Sequence, residues 1–195
     1  MTPPILVSNY RMKCLTSIKF ISVFFYTISR LKPVQVYYRI KYLIFGKSPK
    51  AIQKHSFNYG QKVSYLPKKN NLLFDHEIAS FIGIKEKFSN VYLQPLLWQY
   101  NFYYFDSVLS NEISFDNKIF FLKNHLISFN DKSCANDPYV ISLRSVNLIK
   151  WISSSQCKEH EALALLSSDY AHLISSIEYH LLANHLLANL KALIF

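Results

Sequence analysis

Glycine is scarce in this chain, since only three of its 195 residues are glycine. Tight turns and β-hairpins favour glycine because it reaches positive backbone φ angles without a steric cost. The scarcity therefore argues against a β-sandwich or barrel with many such turns, and against a glycine-rich phosphate loop. Half of the residues are apolar, far more than in disordered chains. We expect one mainly helical domain over residues 1–195.

Charge is distributed unevenly along the chain. Residues 1–74 contain basic residues from Arg11 to Lys69 and no acidic residue, because Asp75 is the first. The chain as a whole carries a net charge of +10. This asymmetry indicates contact with an anionic polymer, nucleic acid or membrane surface, or else a solvated basic face. The lysines are spread among apolar runs and follow no nucleic-acid-binding motif, so we expect no nucleic acid partner.

The cysteines give no sign of a metal site. Cys14, Cys134 and Cys157 are widely spaced and form no CxxC or Cys/His pattern of the kind that binds zinc. We interpret them as packed or idle thiols and expect neither a metal nor a cofactor. The apolar run Phe20–Ile28 faintly resembles a signal peptide but lacks a cleavage site. It is also shorter than the roughly 20 residues that span a bilayer, so we interpret it as a buried helix.

The first half of the chain predicts helices on either side of one long loop. Ile18–Phe45 fits one or two amphipathic helices with a break at Pro33. The polar, proline-containing residues 46–71 predict a loop with short extended pieces, and we expect strand nowhere else. Phe74–Phe88 is a further helical candidate.

The second half predicts a denser set of helices. Leu96–Leu109 is rich in aromatic residues and longer than a typical strand, which favours a buried helix. Pro138 follows a polar loop and is expected to open a helix. Val140–Ser153, Glu159–Leu173 and Ile174–Phe195 then predict three helices with little between them. Antiparallel helix pairs of this kind build bundles or helical toroids.

The last predicted helix carries polar residues on one side. On a helical wheel of about 100° per residue, Glu178, His185 and Asn189 fall on one stripe. Asn184 lies on the flank of this stripe and His180 further round. A buried amide or imidazole without a hydrogen-bond partner costs about 1–3 kcal/mol. The stripe therefore predicts either a hydrogen-bonded network between helices or a functional site.

Four segments carry motifs. The last along the chain is EYHLLANHLLANLKALIF (Glu178–Phe195), and the other three, in chain order, are SRLKPVQVYYRIKY (Ser29–Tyr42), LWQYNFYYFD (Leu97–Asp106) and YVISLRSVNLIKWI (Tyr139–Ile152). The last segment resembles the signature helix of the heparinase II/III-type polysaccharide lyase family. The others resemble its N-terminal helix, its aromatic motif and its arginine-containing helix. The resemblance implies an all-α fold, an incomplete (α/α) toroid of antiparallel helix pairs without the C-terminal β-sandwich domain of full-length relatives.

The resemblance also implies a reaction, the β-elimination of polysaccharides that contain uronic acids, such as glycosaminoglycans, alginate or bacterial exopolysaccharides. Relatives of this kind often act in the periplasm. The chemistry needs a neutralised uronate carboxylate, a base for the C5 proton and an acid for the leaving oxygen. By its position in the motif, Asn184 is expected to neutralise the carboxylate, because an amide donates hydrogen bonds without adding negative charge. His185 is expected to assist or to take the proton.

Four further residues are implied as contacts to an acidic polysaccharide. Arg144 lies in the arginine motif and could hold a carboxylate or sulfate through two hydrogen bonds. Its alternative role is an ion pair between helices. Trp98 could stack on a sugar ring or belong to the core. Tyr139 and His180 complete this set of expected substrate-binding residues.

The chain departs from the family pattern at several positions. Ala183 stands where the family usually has glycine, and Gln99 and Tyr103 replace an arginine and a histidine of the aromatic motif. The family's catalytic tyrosine and a further histidine lie well beyond the position that matches Asn184. We therefore expect residues 1–195 to be inert and poorly stable alone, and to depend on a second polypeptide that supplies the missing helices and β-sandwich.

Two other functions remain open from the sequence. One is a non-catalytic helical module that binds acidic glycans through its basic first 74 residues. The other is a protein that binds a membrane surface or nucleic acid through the same lysines.

Overall fold

The computed structural model describes residues 26, 29–45, 72–127, 134–155 and 160–195. The chain forms two compact units, Met1–Gly46 and Lys47–Phe195. In the first unit the main described element is helix α1 (Pro33–Phe45). Its first residue is proline, which suits the first turn of a helix, and the predicted break at Pro33 is confirmed.

Several sequence predictions concern residues outside the described ones. These are the loop at 46–71, most of the buried helix at Phe20–Ile28, and the environments of Cys14 and Cys157. In the described part of the chain, no helix combines the length and apolar character that crossing a bilayer demands.

The described part of the second unit begins with a three-stranded antiparallel sheet in the order β1 (Leu72–Asp75), β2 (Ile78–Phe81), β3 (Ile84–Lys87). The predicted helix Phe74–Phe88 is therefore wrong. The expectation of strand only within residues 46–71 is wrong as well.

Local sequence accounts for the strands. Leu72 and Phe74 are buried while the residue after each is exposed, which is the period-two alternation of a strand with one covered face. The turn between β2 and β3 has positive φ angles at Ile82 (52°) and Gly83 (77°). Two such residues in succession match the twist of a tight hairpin turn. The helical prediction failed because a short apolar run does not distinguish helix from strand by itself.

Helices dominate the rest, and 73% of the described residues are helical. The mostly helical fold predicted from the scarcity of glycine is confirmed. The α-helices of the second unit are α2 (Leu96–Tyr103), α3 (Phe115–Ile127), α4 (Pro138–Ser155), α5 (His160–Ser176) and α6 (Ala183–Ile194). Short 3₁₀ turns occupy Phe88–Leu93, Asp106–Leu109 and Cys134–Asn136. The predicted helix opener, Pro138, is the first residue of α4.

Two predicted helices are broken in the structure. Leu96–Leu109 is helical only to Tyr103 before a 3₁₀ turn follows. Ile174–Phe195 contains a turn at residues 177–182. At this second break, Leu182 and Ala183 have positive φ angles of 57° and 46°, which cost a non-glycine residue on the order of 1 kcal/mol each. No glycine or proline lies at the break, so local sequence does not predict it.

Helix α4 packs against both α5 and α6. Contacts between α4 and α6 follow the same order along both helices, since Tyr139 meets His185 and Ser142 meets Asn189. The two helices therefore run parallel, and α5 between them in the chain runs in the opposite direction. Within α4, α5 and α6, each helix is thus antiparallel to the next one along the chain.

Aromatic side chains form the core between the sheet and the helices. The fully buried ring of Phe121 in α3 lies 4.5 Å from the ring of Phe74 in β1, between centroids. It also lies 4.6 Å from Phe105 and 5.2 Å from Phe102 in α2. Aromatic pairs of this kind add about 0.5–1.5 kcal/mol beyond the burial of their area. Phe121 therefore joins the sheet to two helices.

One ion pair lies inside the helical core. Arg144 in α4 is 1% exposed, and its Nε donates a hydrogen bond of 2.8 Å to Oδ2 of Asp169 in α5 while Nη2 donates to Oδ1. Its Nη1 donates to the carbonyl oxygen of Ala135 at 3.0 Å. The guanidinium carbon lies 5.6 Å from the ring centre of Phe105, within the range of a cation–π contact. These hydrogen bonds offset the cost of removing both charges from water.

From the ion pair between Arg144 and Asp169 we predict how substitution of Arg144 changes the stability of the fold. Arg144→Leu leaves the buried carboxylate of Asp169 without a counter-charge, and we expect a loss of about 3–5 kcal/mol in the free energy of unfolding. Urea denaturation followed by circular dichroism measures this loss. The double variant Arg144→Leu/Asp169→Leu removes both charges and should recover much of the stability. A double variant less stable than the single one would contradict this account.

A second prediction concerns how the buried His125 makes the stability of the fold depend on pH. His125 in α3 is buried, with its ring 4.8 Å from that of Phe105. Burial, and then the positive charge of Arg144, lower the pKa of His125 well below its usual value. The folded state therefore holds His125 neutral, whereas the unfolded chain takes up a proton below about pH 6.5. The contribution of His125 to stability is complete above that pH and is lost as the pH falls below it.

Urea denaturation at several pH values tests this linkage. We expect the wild-type free energy of unfolding to fall more steeply between about pH 6.5 and 5 than that of His125→Leu, by up to about 1.4 kcal/mol per pH unit. Parallel pH dependences for the two proteins would show that His125 is not the group responsible.

Candidate functional site

An open cleft of about 520 Å³ lies between α4, α6 and the segment that follows α2. Two rows of side chains line most of it. They are Leu143, Val146, Asn147 and Lys150 on α4, and Asn184, Leu187, Ala188 and Lys191 on α6. Each row has the spacing i, i+3, i+4, i+7, which places its four members on one face of a helix. The cleft is therefore built by one face of each of two parallel helices.

The charges around the cleft favour an anionic ligand. Lys150 and Lys191 line it together with one carboxylate, Asp106. Asn147 donates hydrogen bonds to Oδ1 of Asp106 at 2.8 Å and to the carbonyl oxygen of Tyr104 at 2.9 Å. The carboxylate is thus hydrogen-bonded within the wall, and Lys191 is exposed. A concave site with an excess of positive charge attracts anions.

The two residues expected to carry chemistry are neighbours in α6 and face different surroundings. Asn184 is exposed and lines the cleft, where its amide can donate and accept hydrogen bonds. His185 lies beside the cleft, with its ring 4.6 Å from that of Tyr139 between centroids. The structure therefore brings Tyr139 and His185 together, whereas Asn184, the residue before His185 in α6, faces the cleft.

A buried carboxylate holds His185. Nδ1 of His185 lies 3.2 Å from Oε2 of Glu178. The histidine side chain is 44% exposed, whereas that of Glu178 is 8% exposed. A carboxylate bonded to one ring nitrogen orients an imidazole and fixes its tautomer, which leaves the other nitrogen for proton transfer. His185 and Glu178 together therefore have the groups of a general base, an imidazole and a carboxylate that orients it.

The side-chain amide of Asn189 holds Glu178 in place. Asn189 is fully buried, and its Oδ1 accepts a 2.8 Å hydrogen bond from the backbone N–H of Glu178. Its Nδ2 donates to Oγ of Ser142 at 3.0 Å and to Oε2 of Glu178 at 3.3 Å. Oγ of Ser142 in turn donates to the carbonyl oxygen of Pro138 at 2.7 Å. Glu178 lies in the turn before α6 rather than on the helix, yet it contacts both His185 and Asn189.

Three tyrosines lie beside this network. The rings of Tyr100 and Tyr104 stack with centroids 5.9 Å apart, and Tyr104 meets Tyr139 edge-on at 6.3 Å. Burial raises the pKa of Tyr104 to about 12, with a further contribution from Tyr139. Burial and the neighbouring Asp137 raise the pKa of Tyr100 as well. Both phenols are therefore protonated at neutral pH. The hydroxyl of Tyr100 donates to Oδ2 of Asp137 at 3.4 Å, whereas that of Tyr104 can donate a hydrogen bond to a ligand.

Two expected substrate contacts lie in the core instead. Trp98 is 4% exposed, stacks on Phe102 at 5.9 Å and meets Phe81 of the sheet at 6.3 Å. Arg144 is occupied by Asp169, as described above. Neither side chain is accessible to a polysaccharide in this structure. The geometry supports the alternatives that the sequence left open, a core tryptophan and an ion pair between helices.

The residues that depart from the family's aromatic motif also serve the core. Nε2 of Gln99 donates to the carbonyl oxygens of Gln94 at 2.8 Å and Tyr92 at 3.2 Å. Tyr103 is buried.

His180 is half-buried in the turn before α6 and does not line the cleft. Cys134 is a buried thiol whose pKa burial raises to about 12.

The two lysines of the cleft were not among the site residues expected from the sequence. Lys150 and Lys191 each complete an i, i+3, i+4, i+7 row that begins with Leu143 or Asn184. This spacing was the signal that could have found them. That the two rows face one cleft follows only from the parallel packing of α4 and α6.

Comparison with known proteins adds no relative. No family model, no curated protein and no solved structure matches the chain significantly.

The network around Glu178 predicts the effect of removing Asn189. Asn189→Ala leaves the buried backbone N–H of Glu178 without its partner and removes one hydrogen bond each from Oε2 of Glu178 and Oγ of Ser142. We therefore expect a loss of about 2–3 kcal/mol in the free energy of unfolding. Asn124→Ala is the control, because the amide of Asn124 bonds to the carbonyl oxygen of Phe120 in its own helix. Urea denaturation compares the two variants. Equal stabilities would mean that the Asn189 network contributes little.

Proposed function

We propose that the chain is the helical part of a heparinase II/III-type polysaccharide lyase, and that the cleft between α4 and α6 binds a uronate of its substrate. The observation that carries the proposal is the position of Asn184 in a lysine-bearing cleft, next to a histidine held by a buried carboxylate. The same resemblance leads us to propose an (α/α) toroid for the complete enzyme and a periplasmic location.

Asn184 would neutralise the uronate carboxylate. Its amide N–H groups can hydrogen-bond to the carboxylate and to the enolate-like charge that develops when the C5 proton leaves. Lys191 lies two helical turns further along the same face of α6, a rise of about 10 Å. It would therefore meet a second acidic group of the same polymer rather than the same sugar.

His185 would take the C5 proton. In the tautomer whose Nδ1–H donates to Glu178, Nε2 would carry the lone pair that accepts a proton. The electron pair of the C5–H bond then forms the C4–C5 double bond, and the C4–O bond to the leaving sugar breaks. Tyr104 and Tyr139 would donate hydrogen bonds to sugar hydroxyls. We assign no residue of this chain as the acid that protonates the leaving oxygen.

A non-catalytic glycan-binding module is the second candidate. Its support is the charge of residues 1–74, which have no acidic residue. The two candidates assign the ligand to different residues of the chain. No residue that lines the cleft lies within residues 1–74, so variants in the cleft distinguish the two candidates.

Calorimetric titration of the full chain with a short unsulfated oligouronate tests the site. Asn184→Ala and Lys191→Ala each remove one hydrogen-bonding group, and we expect affinity to fall by about tenfold for each. The matched controls Asn117→Ala and Lys87→Ala lie outside the cleft and should bind as the wild type does. Cleft variants that bind like the controls would contradict the proposal.

Ultraviolet absorbance of unsaturated uronate separates catalysis from binding. Products that form with the wild type and vanish in His185→Asn would support the lyase. Binding that the cleft variants weaken, without any product from the wild type, would support a uronate-binding cleft and not the reaction. Binding that depends only on residues 1–74 would support the second candidate.

A further inference from the structure

Helix α1 exposes an apolar face. All 13 of its residues are described, and none is buried. The exposed fractions of Tyr37, Ile40, Leu43 and Ile44 are 60%, 52%, 87% and 65%. At about 100° per residue these four side chains fall within about a third of the helix circumference. A continuous exposed apolar face is the mark of an interaction surface.

Basic residues border this face on both sides. Arg39 and Lys41 directly precede and follow Ile40, so each lies about 100° from the centre of the apolar face. Nζ of Lys41 lies 5.6 Å above the ring of Tyr38. Long basic side chains at such borders can lay their methylene stems on an apolar layer and keep their charges in the polar layer above it. Tyrosine is also enriched where the two layers meet.

The charge of the surrounding segment identifies the partner. Residues 1–74 contain 13 lysine and arginine residues and no acidic residue, whereas residues 75–195 contain 9 basic and 12 acidic ones. An anionic lipid surface attracts such a segment and also receives an apolar helix face. A nucleic acid or polysaccharide would satisfy the charge but leave the apolar face in water. The combination therefore favours a bilayer.

The length of α1 determines how it would bind. A helix of 13 residues is about 20 Å long, shorter than the hydrocarbon core of about 30 Å. We propose that α1 lies parallel to the surface of an anionic lipid bilayer, with Ile40 at the centre of its inserted face. Arg39 and Lys41 then contact the lipid headgroups. This inference is independent of the proposed function of the cleft.

Vesicle flotation of the full chain tests the proposal, with phosphatidylcholine vesicles that contain phosphatidylglycerol compared with phosphatidylcholine alone. We expect binding to the anionic vesicles. Arg39→Glu/Lys41→Glu should weaken it by at least about tenfold, and so should Leu43→Asn/Ile44→Asn, which removes apolar surface. The control Lys85→Glu/Lys87→Glu makes the same charge change on exposed residues of β3 and should bind as the wild type does.

Two results of the flotation would overturn the proposal. The first is binding that the loss of Leu43 and Ile44 leaves unchanged, because attraction would then be purely electrostatic. The second is no binding to anionic vesicles, whether or not the chain is retained on immobilised DNA or anionic polysaccharide.

Quenching by brominated lipids tests the orientation of α1 directly. Ile40→Trp places an indole at the centre of the apolar face, and Tyr42→Trp places one on the opposite side. The native Trp98 and Trp151 are 4% and 2% exposed, so their emission provides a constant background and reports that the second unit is folded. We expect strong quenching at position 40 and weak quenching at position 42. Equal or absent quenching at the two positions would overturn the proposed orientation.

Discussion

The buried guanidinium of Arg144 holds the helical part of the second unit in one arrangement. It bonds to Asp169 in α5 and to the carbonyl oxygen of Ala135, and it lies over the ring of Phe105. A buried charge without its partners is costly, so these segments cannot shift independently. Helix α4 carries Arg144 on one side and Ser142 and the cleft residues on another. The position of the candidate site therefore depends on this ion pair.

The site itself depends on a strained turn. Leu182 and Ala183 have positive φ angles, which cost conformational energy. Four hydrogen bonds offset this cost. Three join Glu178, Asn189 and Ser142, and the fourth joins Ser142 to Pro138. Backbone strain of this kind persists where surrounding contacts over-determine it, often at functional positions. Here the turn brings Glu178 back onto α6, where it can hold a histidine. Glycine would adopt a positive φ at position 183 without that cost.

The two proposals describe different units and share one kind of partner, a negatively charged one. In the second unit the charge is placed precisely, by Lys150 and Lys191 in a cleft with amide groups. In the first unit it is spread through a segment without acidic residues and combined with the exposed apolar face of α1. The cleft of the second unit suits recognition of a particular anionic group. The basic, apolar segment of the first unit suits attraction to an extended surface.

The sequence by itself determined the mostly helical class and the start of α4 at Pro138, because these follow from composition and local helix signals. The predicted stripe of Glu178, His185 and Asn189 does not lie on one helix, because Glu178 is in the turn before α6. The sequence failed for the sheet at residues 72–87 and for the break at 177–182, where long-range packing decides between competing local structures. Only the tertiary structure decided that Arg144 is an internal ion pair and that Trp98 belongs to the core. A side chain's partners come from distant segments, and a pattern of neighbours along the chain does not contain them.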